Sequence, residues 1–400
     1  ISTATRVGMG NLVGVVAAVS AGGAGAVFWM WLTAILGSAS AFIESTLAQI
    51  YKHKAKDGSS YGGPAYYIQA ALKKRWIGVL FAVVLILTYM GGFNLVASFN
   101  IADSFRVYSF FNPEWTPLIV GAILAVVFAL AVFGGSKKIS QITEVLVPIM
   151  GIFYLAVSLF IILKHYQLVP VMFTSIFNNA FDVQAIFGGF AGSCVMHGIK
   201  RGLFSNEAGM GSAPNVAATA DVTHPVKQGL IQTLGVFTDT LVICTCTAFI
   251  ILFSGLASTG EANGIKLTQM ALNNEIGDIG TIYVAVAILF FAYSSILGNY
   301  YYGEANVRYI TRQRWAIPVY RISVCGMVMF GALASLDLAW GLADIAMGFM
   351  TICNLIAIVL LGKYAFRLLE DYRIQKRSGI KNPVFTKDRM KDIEEDLECW

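Results

Sequence analysis

Two glycine-rich stretches interrupt otherwise apolar segments, and each glycine costs about 1 kcal/mol relative to alanine inside a helix. One group of glycines lies within residues 2–25: Gly8, Gly10, Gly14, Gly22 and Gly23. The other lies in the sequence FGGFAGSC: Gly188, Gly189 and Gly192. Where a helix breaks, freed amides attract a carboxylate, and freed carbonyls attract an ammonium group or a metal cation. The alternative is that these glycines only permit close helix packing.

Two adjacent serines, Ser294 and Ser295, present a pair of hydroxyl oxygens within the apolar sequence FFAYSSILG. Hard cations such as sodium take oxygen ligands. The alternative is that each hydroxyl bonds to the backbone of its own helix. The pair therefore predicts either a cation site or a local contact within the helix.

Acidic residues in or beside apolar segments are functional candidates because a charge is expensive in a membrane. Glu44 and Asp239 are interpreted as holding Arg6 or Arg201 in a gate or a structural ion pair, with direct ion transport as the alternative. Glu207 lies beside two glycines in the sequence SNEAGMG and is assigned to an inner gate. All three acids are thus predicted to be gating or structural residues.

The composition places these residues in a membrane protein. Of the 400 residues, 57% are hydrophobic and 13% charged, and mean hydropathy is +0.68, whereas soluble domains have about a quarter charged residues. The long alternating strands of a transmembrane barrel are missing from the sequence. Hydropathy predicts about ten membrane helices, at residues 3–21, 25–50, 77–104, 117–134, 139–163, 183–199, 229–255, 281–307, 317–335 and 338–362.

Basic residues cluster in the loops that follow the even-numbered predicted helices, and the other loops carry far fewer. Under the positive-inside rule, every even-numbered helix therefore ends in the cytoplasm. We expect one transmembrane domain over residues 1–362, followed by an amphipathic, charged cytoplasmic tail over residues 363–400. Because Ile1 is not an initiator methionine, a further helix is expected to precede it.

The two glycine-rich stretches lie on the first and sixth predicted helices, which are five helices apart and run in opposite directions. This is the sequence signature of a five-plus-five inverted repeat, in which broken helices bind substrate and ions near the midplane of the membrane. Close packing alone leaves the matching positions unexplained. The predicted fold class is an all-α membrane protein with broken first and sixth helices.

Several other classes of protein are disfavoured by the sequence. Five of the six cysteines fall in predicted helices, so no disulfide framework is indicated. The four histidines are scattered without metal-site spacing, and no catalytic motif or nucleic-acid-binding module stands out. Neither a filter sequence nor a ring of charges indicates an ion channel. The sequence therefore favours a carrier over an enzyme, a channel or a nucleic-acid-binding protein.

Six motifs together resemble the alanine or glycine:cation symporter family of prokaryotes: GNLVGVVAAVSAGGAGAVFWMW, YGGPAYYI, RGLFSNEAGMGSAP, FTDTLVICTCTA, YSSILGNYYYGE and LADIAMGFMTICNLIAIVLL. The resemblance runs from about residue 2 to residue 361, and RGLFSNEAGMGSAP is highly specific. It implies a LeuT-type fold, a prokaryotic cell-membrane location and sodium-coupled uptake of neutral amino acids.

The resemblance also implies site residues. The implied sodium ligands are the carbonyls of Ala4, Val7 and Phe291 and the hydroxyls of Ser294 and Ser295. Asn11 lies where the related fold has an asparagine that helps to bind a second sodium, but it could equally cap the outer half-helix. The implied substrate-binding residues are Gly8, Met9, Gly10, Phe93, Asn94, Ala97, Gly188, Gly189, Phe190 and Gly192. Amides near Met9 and Gly10 suit the substrate carboxylate, and carbonyls around residues 188–192 suit its ammonium group.

Departures from the family pattern leave the substrate open. This chain has Met9 where the family usually has threonine, and Ala97 and Phe99 where many relatives have glutamine and asparagine. These changes alter both the shape and the hydrogen bonding of the pocket. Alanine, glycine, glutamine and serine all remain candidates, and a proton-coupled permease of the same fold is the main alternative to a sodium symporter.

Overall fold

The computed structural model describes residues 2–182, 193–258 and 264–400, which are mostly helical. The first half of the chain forms α1 (Ser2–Arg6), α2 (Val15–Gly22), α3 (Gly25–Ile50), α4 (Pro64–Leu72), α5 (Arg75–Ile86), α6 (Asn94–Asp103), α7 (Trp115–Val132), α8 (Gly135–Lys164) and α9 (Val169–Ala180). The second half forms α10 (Ser193–Asn206), α11 (Pro214–Ala217), α12 (Pro225–Phe237), α13 (Thr245–Ser254), α14 (Ile265–Ile276), α15 (Asp278–Ile310), α16 (Ala316–Leu333) and α17 (Leu336–Arg377).

Other backbone elements join or extend these helices. Three π-helical turns cover Gly10–Gly14, Leu87–Phe93 and Thr238–Cys244. Short 3₁₀ turns cover Tyr166–Leu168, Leu256–Ser258, Lys387–Met390 and Glu394–Asp396. Strands β1 (His53–Lys54) and β2 (Ser60–Tyr61) form an antiparallel hairpin in which His53 lies opposite Tyr61.

Helix boundaries follow local sequence signals. Pro64 and Pro225 begin α4 and α12, where the missing amide hydrogen is not needed. The Ser335 hydroxyl caps α17 by accepting a hydrogen bond from the Leu338 amide at 3.3 Å. Gly277 precedes α15 with a φ of +72°, a conformation that glycine adopts readily. These signals separate apolar runs that would otherwise continue as helix.

Eight helical segments of the described chain are long and apolar enough to cross a membrane, and they coincide with the second to fifth and seventh to tenth predicted helices. The final helix continues to Arg377, well beyond its predicted end at residue 362. The sixth predicted helix is described from Ser193 onward and ends at Asn206 rather than at residue 199. The first is interrupted, as the site geometry below shows.

The long helices α3 and α15 pack against several shorter helices of the bundle. Helix α3 contacts α10 and α12, and α15 contacts α1, α5 and α6. At the contact of α1 with α15, a side chain at Gly298 would overlap the methyl group of Thr5. Small residues at such crossings let helices approach closely, and the resulting van der Waals packing helps to drive helix association in lipid. This packing holds the first segment of the chain against the middle of α15.

The last 23 residues, 378–400, pack against the end of the bundle that carries the basic loops. The Phe385 amide donates to the Thr223 carbonyl at 2.9 Å, and the Trp400 indole donates to the Gln49 carbonyl at 3.0 Å. The Glu398 carboxylate lies 2.6 Å from the Nδ1 atom of His53, and their hydrogen bond holds the pKa of Glu398 below its ordinary value. The segment therefore connects the end of α3 with the loop before α12.

Replacing Trp400 with alanine is expected to release this C-terminal segment. The substitution removes the indole hydrogen bond and the ring that packs on Phe385 and under the Lys52 ammonium. Limited proteolysis of the purified protein should then cleave within residues 378–400 faster than in the parent. Phe110 is exposed on a different loop and its alanine variant is the control; equal cleavage of both variants would contradict the prediction.

Candidate functional site

The first predicted membrane helix breaks at Val7 and Gly8. Helix α1 ends at Arg6, and the Gly8 amide donates to the Arg6 carbonyl and to the Asn11 side-chain oxygen, both at 2.8 Å. Met9 has helical backbone angles and the π-helical turn begins at Gly10. The break predicted for the first helix therefore covers Val7 and Gly8, and helical backbone resumes at Met9. The π-helical turn keeps Gly10 and Asn11 within the hydrogen-bonded helix, so only a short backbone segment is left outside it.

Gly10 itself serves close packing. A Cβ atom on Gly10 would lie 2.7 Å from the Cα atom of Ser205 on α10, closer than real Cβ atoms approach backbone. The two interpretations of the glycines thus apply to different residues, with Gly8 in the break and Gly10 in the contact. The predicted break in the sixth helix, with Gly188, Gly189, Phe190 and Gly192, lies outside the described residues.

The serine pair faces the break in the first helix. The Ser294 and Ser295 hydroxyls each donate to the Phe291 carbonyl at 2.9 Å, and both side chains are buried. The Met9 amide also donates to the Ser295 hydroxyl oxygen at 3.4 Å. The local contact within the helix therefore exists for both serines, and Ser295 also contacts Met9, which directly follows the break.

Asn11 and Asp239 form the centre of a second buried cluster. The Asn11 amide nitrogen donates to one Asp239 carboxylate oxygen at 2.7 Å, and the Ser205 and Thr240 hydroxyls donate to the other at 2.9 and 2.8 Å. Asp239 lies in the π-helical turn Thr238–Cys244. The Asn11 side-chain oxygen accepts from the Gly8 amide, which precedes it in the chain, whereas the N-cap of a helix accepts from an amide two or three residues later. The role of Asn11 as a sodium ligand stays a prediction.

Within the described residues, neither Glu44 nor Asp239 forms a direct ion pair with Arg6 or Arg201, although Arg6 lies close enough to interact electrostatically with both acids. Arg6 donates to the Gln232 side-chain oxygen at 2.6 Å. Arg201 pairs with Asp344 at 2.8 Å, and its guanidinium lies 3.7 Å from the centre of the Trp340 ring. Neutral donors hold both acids instead, because polar groups in a buried site need hydrogen bonds but need not have an opposite charge.

Glu44 organises the loop after α10. Its carboxylate accepts from the Gly209 and Gly211 amides at 3.2 and 3.0 Å and from the Asn354 side chain at 2.7 Å. Gly209 and Gly211 have φ values of +79° and +83°, which side-chain-bearing residues rarely adopt. The carboxylate thereby replaces the backbone partners that this tight turn lacks.

Glu207 lies in the same loop, with a φ of +55°. It accepts hydrogen bonds from the Thr5 hydroxyl at 3.2 Å and from the Ser212 hydroxyl at 3.0 Å. The Thr5 hydroxyl also lies 2.8 Å from the Tyr302 hydroxyl. Glu207 therefore links α1 to the loop and to α15, a connection that its place in SNEAG did not reveal.

An aromatic layer lies beside these clusters. Phe93 has its ring centre 4.6 Å from that of Phe204, and Phe204 lies 4.8 Å from Trp340. Tyr89 packs on the other edge of Phe93 at 4.8 Å. Sequence reasoning identified Phe93 but missed Phe204 and Trp340. The sequence pattern at these two positions is an aromatic residue beside a predicted polar segment. That pattern is too common to single them out.

The remaining predicted residues of the third membrane helix lie at the start of α6. Asn94 and Ala97 are fully buried, and the Asn94 oxygen accepts from the Asn299 side chain of α15 at 2.9 Å. Met9 is also buried. Phe204 precedes Ser205, which contacts Gly10, so the described part of the predicted binding region forms one continuous cluster.

A family model described as the sodium:alanine symporter family matches residues 1–387. The chain belongs to the sodium:alanine symporter family. This confirms the family resemblance inferred from the motifs, and it identifies the chain as a multi-pass membrane protein of an amino-acid transport family rather than of an enzyme family.

Curated relatives of this sodium:alanine symporter family chain are similar over nearly its whole length. It is 49% identical to the probable sodium/glutamine symporter GlnT of Bacillus subtilis over 100% of this chain and 82% of the relative. It is 44% identical to the amino-acid carrier protein AlsT of the same organism, over 100% and 84%. It is 38% identical to the sodium/alanine symporter AgcS of Methanococcus maripaludis, over 95% and 84%.

Solved structures agree on the fold of this family member. A manganese transporter of Eremococcus coleocola aligns with a TM-score of 0.58 and 14% identity, over 99% of this chain and 84% of the other. The prediction of an all-α membrane protein with a LeuT-type five-plus-five inverted repeat is confirmed. Within the described residues, the break of the first helix is seen at Val7 and Gly8.

Proposed function

We propose that the protein carries a neutral L-amino acid together with sodium by alternating access. The observation that supports this most directly is the contact between the Met9 amide and the Ser295 hydroxyl, since it joins the broken first helix to the hydroxyl pair. Family membership supports the coupling to sodium. A carrier of this kind needs its ion and substrate sites to share a mobile element, and the broken helix is that element.

Sodium would bind between α1 and α15. The proposed ligands are the carbonyls of Ala4, Val7 and Phe291 and the hydroxyls of Ser294 and Ser295. The Phe291 carbonyl already meets both hydroxyls at 2.9 Å, so one carbonyl and two hydroxyl oxygens converge without a charged side chain. Sodium would replace those hydrogen bonds with ion–oxygen contacts and would leave the site with a net positive charge.

The substrate would lie beside that charge. Amides at Gly8, Met9 and Gly10 would face the substrate carboxylate, and carbonyls at Gly188, Gly189 and Gly192 would face its ammonium group. Met9, Phe93, Phe190 and Ala97 would surround the side chain, with Asn94 as a polar contact. The names of two relatives, a probable sodium/glutamine symporter and a sodium/alanine symporter, support glutamine and alanine among the candidates. Glycine and serine are also of suitable size.

The buried acids would be structural or gating groups. Glu44 and Glu207 shape the loop after α10, and Asp239 anchors Asn11 beside the break. Burial of three carboxylates favours proton coupling as the second candidate function, because such groups can exchange protons during transport. The basic end of the bundle and residues 363–400 would face the cytoplasm of a prokaryotic cell.

Uptake into proteoliposomes tests this proposal. Sodium-coupled symport predicts that an inward sodium gradient at fixed pH drives accumulation of labelled alanine or glutamine, and that a pH gradient at fixed sodium does not. Unlabelled neutral amino acids should compete, whereas aspartate, glutamate, lysine and arginine should not, since the proposed pocket contains no neutralising charge. Accumulation driven by the pH gradient alone would favour the proton-coupled alternative.

A further inference from the structure

Two asparagines meet in the membrane-embedded contact between α6 and α15. The Asn299 side-chain nitrogen donates to the Asn94 side-chain oxygen at 2.9 Å, and both side chains are buried. The Asn94 side-chain nitrogen has no hydrogen-bond partner among the described residues. Leaving a buried amide donor unpaired costs free energy that a purely structural contact would avoid.

A second asparagine pair on the same helix shows what a purely structural contact looks like. The Asn306 nitrogen donates to the Asn215 oxygen at 3.0 Å. The Asn215 nitrogen in turn donates to the Gly211 and Ser212 carbonyls at 3.0 and 2.8 Å. Every donor nitrogen of that pair is therefore used, whereas the Asn94 nitrogen is not.

The position of the unpaired donor connects it to the proposed binding site. Asn94 directly follows Phe93, which packs on Phe204. Asn299 lies one helical turn beyond Ser295, or about 6 Å along the axis of α15, and Ser295 receives the Met9 amide. The pair is thus one turn away from the segment that would hold the backbone of the substrate.

We propose that Asn94 and Asn299 recognise a side-chain carboxamide, so that the preferred substrate is L-glutamine. This inference rests on the proposed function, because it assigns one part of that binding site. The carbonyl of a carboxamide would accept from the unpaired Asn94 nitrogen, and its amino group would donate to an asparagine oxygen. The side chains of alanine and serine are too short to reach a group that lies one turn of α15 away from the bound backbone of the substrate.

The same chemistry separates glutamine from glutamate. A glutamate carboxylate offers acceptors but no donor, and it would bring a charge that the uncharged amide side chains of Asn94 and Asn299 do not neutralise. Sites built around hydrogen bonds to a substrate group reject analogues that lack the group much more strongly than apolar pockets reject an extra methylene. Charge and hydrogen bonding therefore both favour the neutral amide.

Substrate competition in the wild-type protein is the first test. Sodium-driven uptake of labelled alanine would be inhibited by unlabelled glutamine, methionine and glutamate. Methionine is close to glutamine in length but has no carboxamide. Glutamine should inhibit at a concentration about tenfold or more below methionine, and equal inhibition by the two would overturn the inference. If no neutral amino acid is taken up with sodium, the result contradicts the proposed function as well as this inference.

Variants test the residues directly. Asn94→Leu and Asn299→Leu should each raise the KM for glutamine about tenfold or more while changing the KM for alanine far less. Asn306→Leu is the matched control, because it removes the structural pair on the same helix, and should leave the ratio of the two KM values unchanged. A loss of uptake with an unchanged ratio in all three variants would show that Asn94 and Asn299 are also only structural. If the Asn94 and Asn299 variants fail to fold, substrate competition in the wild-type protein decides whether a carboxamide is recognised.

Discussion

Replacing Ser294 and Ser295 together with alanine is expected to raise the sodium concentration for half-maximal uptake roughly 30-fold or more. The change removes two proposed oxygen ligands, and each should contribute more than the ~1 kcal/mol of a neutral hydrogen bond. Because linkage is reciprocal, the apparent affinity for substrate at low sodium must fall as well. Uptake in proteoliposomes over a series of sodium concentrations measures both effects.

Ser158→Ala is the matched control for this double variant. Ser158 is a buried membrane serine that donates to the Tyr154 carbonyl of its own helix at 2.8 Å, as Ser295 does to Phe291. Its loss should leave the sodium dependence unchanged. If the double variant also keeps the sodium dependence of the parent, the proposed sodium site is refuted, and attention shifts to Asn11 and to proton coupling.

Replacing Glu44 with alanine is expected to destabilise the folded protein by about 3 kcal/mol or more. The Gly209 and Gly211 amides and the Asn354 nitrogen would each lose an acceptor in a buried site, at about 1–3 kcal/mol per unpaired group. Thermal unfolding in detergent, followed by size-exclusion chromatography of heated samples, should show a clearly lower transition temperature. Transport should fall with the fraction of folded protein.

Two further variants separate the hydrogen bonds of Glu44 from its charge. Glu44→Gln keeps one acceptor oxygen and should be intermediate in stability. Glu370→Ala removes a half-exposed acid that pairs with Arg373 on the surface and should have little effect. Wild-type stability of Glu44→Ala combined with loss of sodium-driven uptake would instead assign this carboxylate to ion transport.

The membrane helices and their inverted arrangement could be predicted from the sequence, because hydropathy and glycine position are local signals. The breaking role of Gly8 and the packing role of Gly10 could not be told apart in advance. Both are glycines near the middle of one helix, and only the approach of Ser205 distinguishes them. A contact between residues 195 positions apart leaves no trace in a single sequence.

The partners of the buried acids were also beyond sequence reasoning. An arginine was expected for each because unlike charges attract strongly at low dielectric. Asp239 instead gathers Asn11, Ser205 and Thr240, which come from three separate segments of the chain. Any of the many polar residues in the membrane helices could have supplied those donors. Only the three-dimensional arrangement selects among them.

The π-helical turn Leu87–Phe93 also bears on how this membrane helix can tolerate insertions and deletions. A hydrogen bond that spans five residues accommodates one residue more than an α-helical turn. Removing a single residue from that turn would therefore restore regular helix with the parts on either side in nearly their present orientation. The same deletion within α5 has no wide turn to absorb it and would rotate everything beyond it by about 100°. Asn94 would then turn away from Asn299. A change of one codon, with no loss of hydrophobic character, would separate the two halves of the proposed recognition pair.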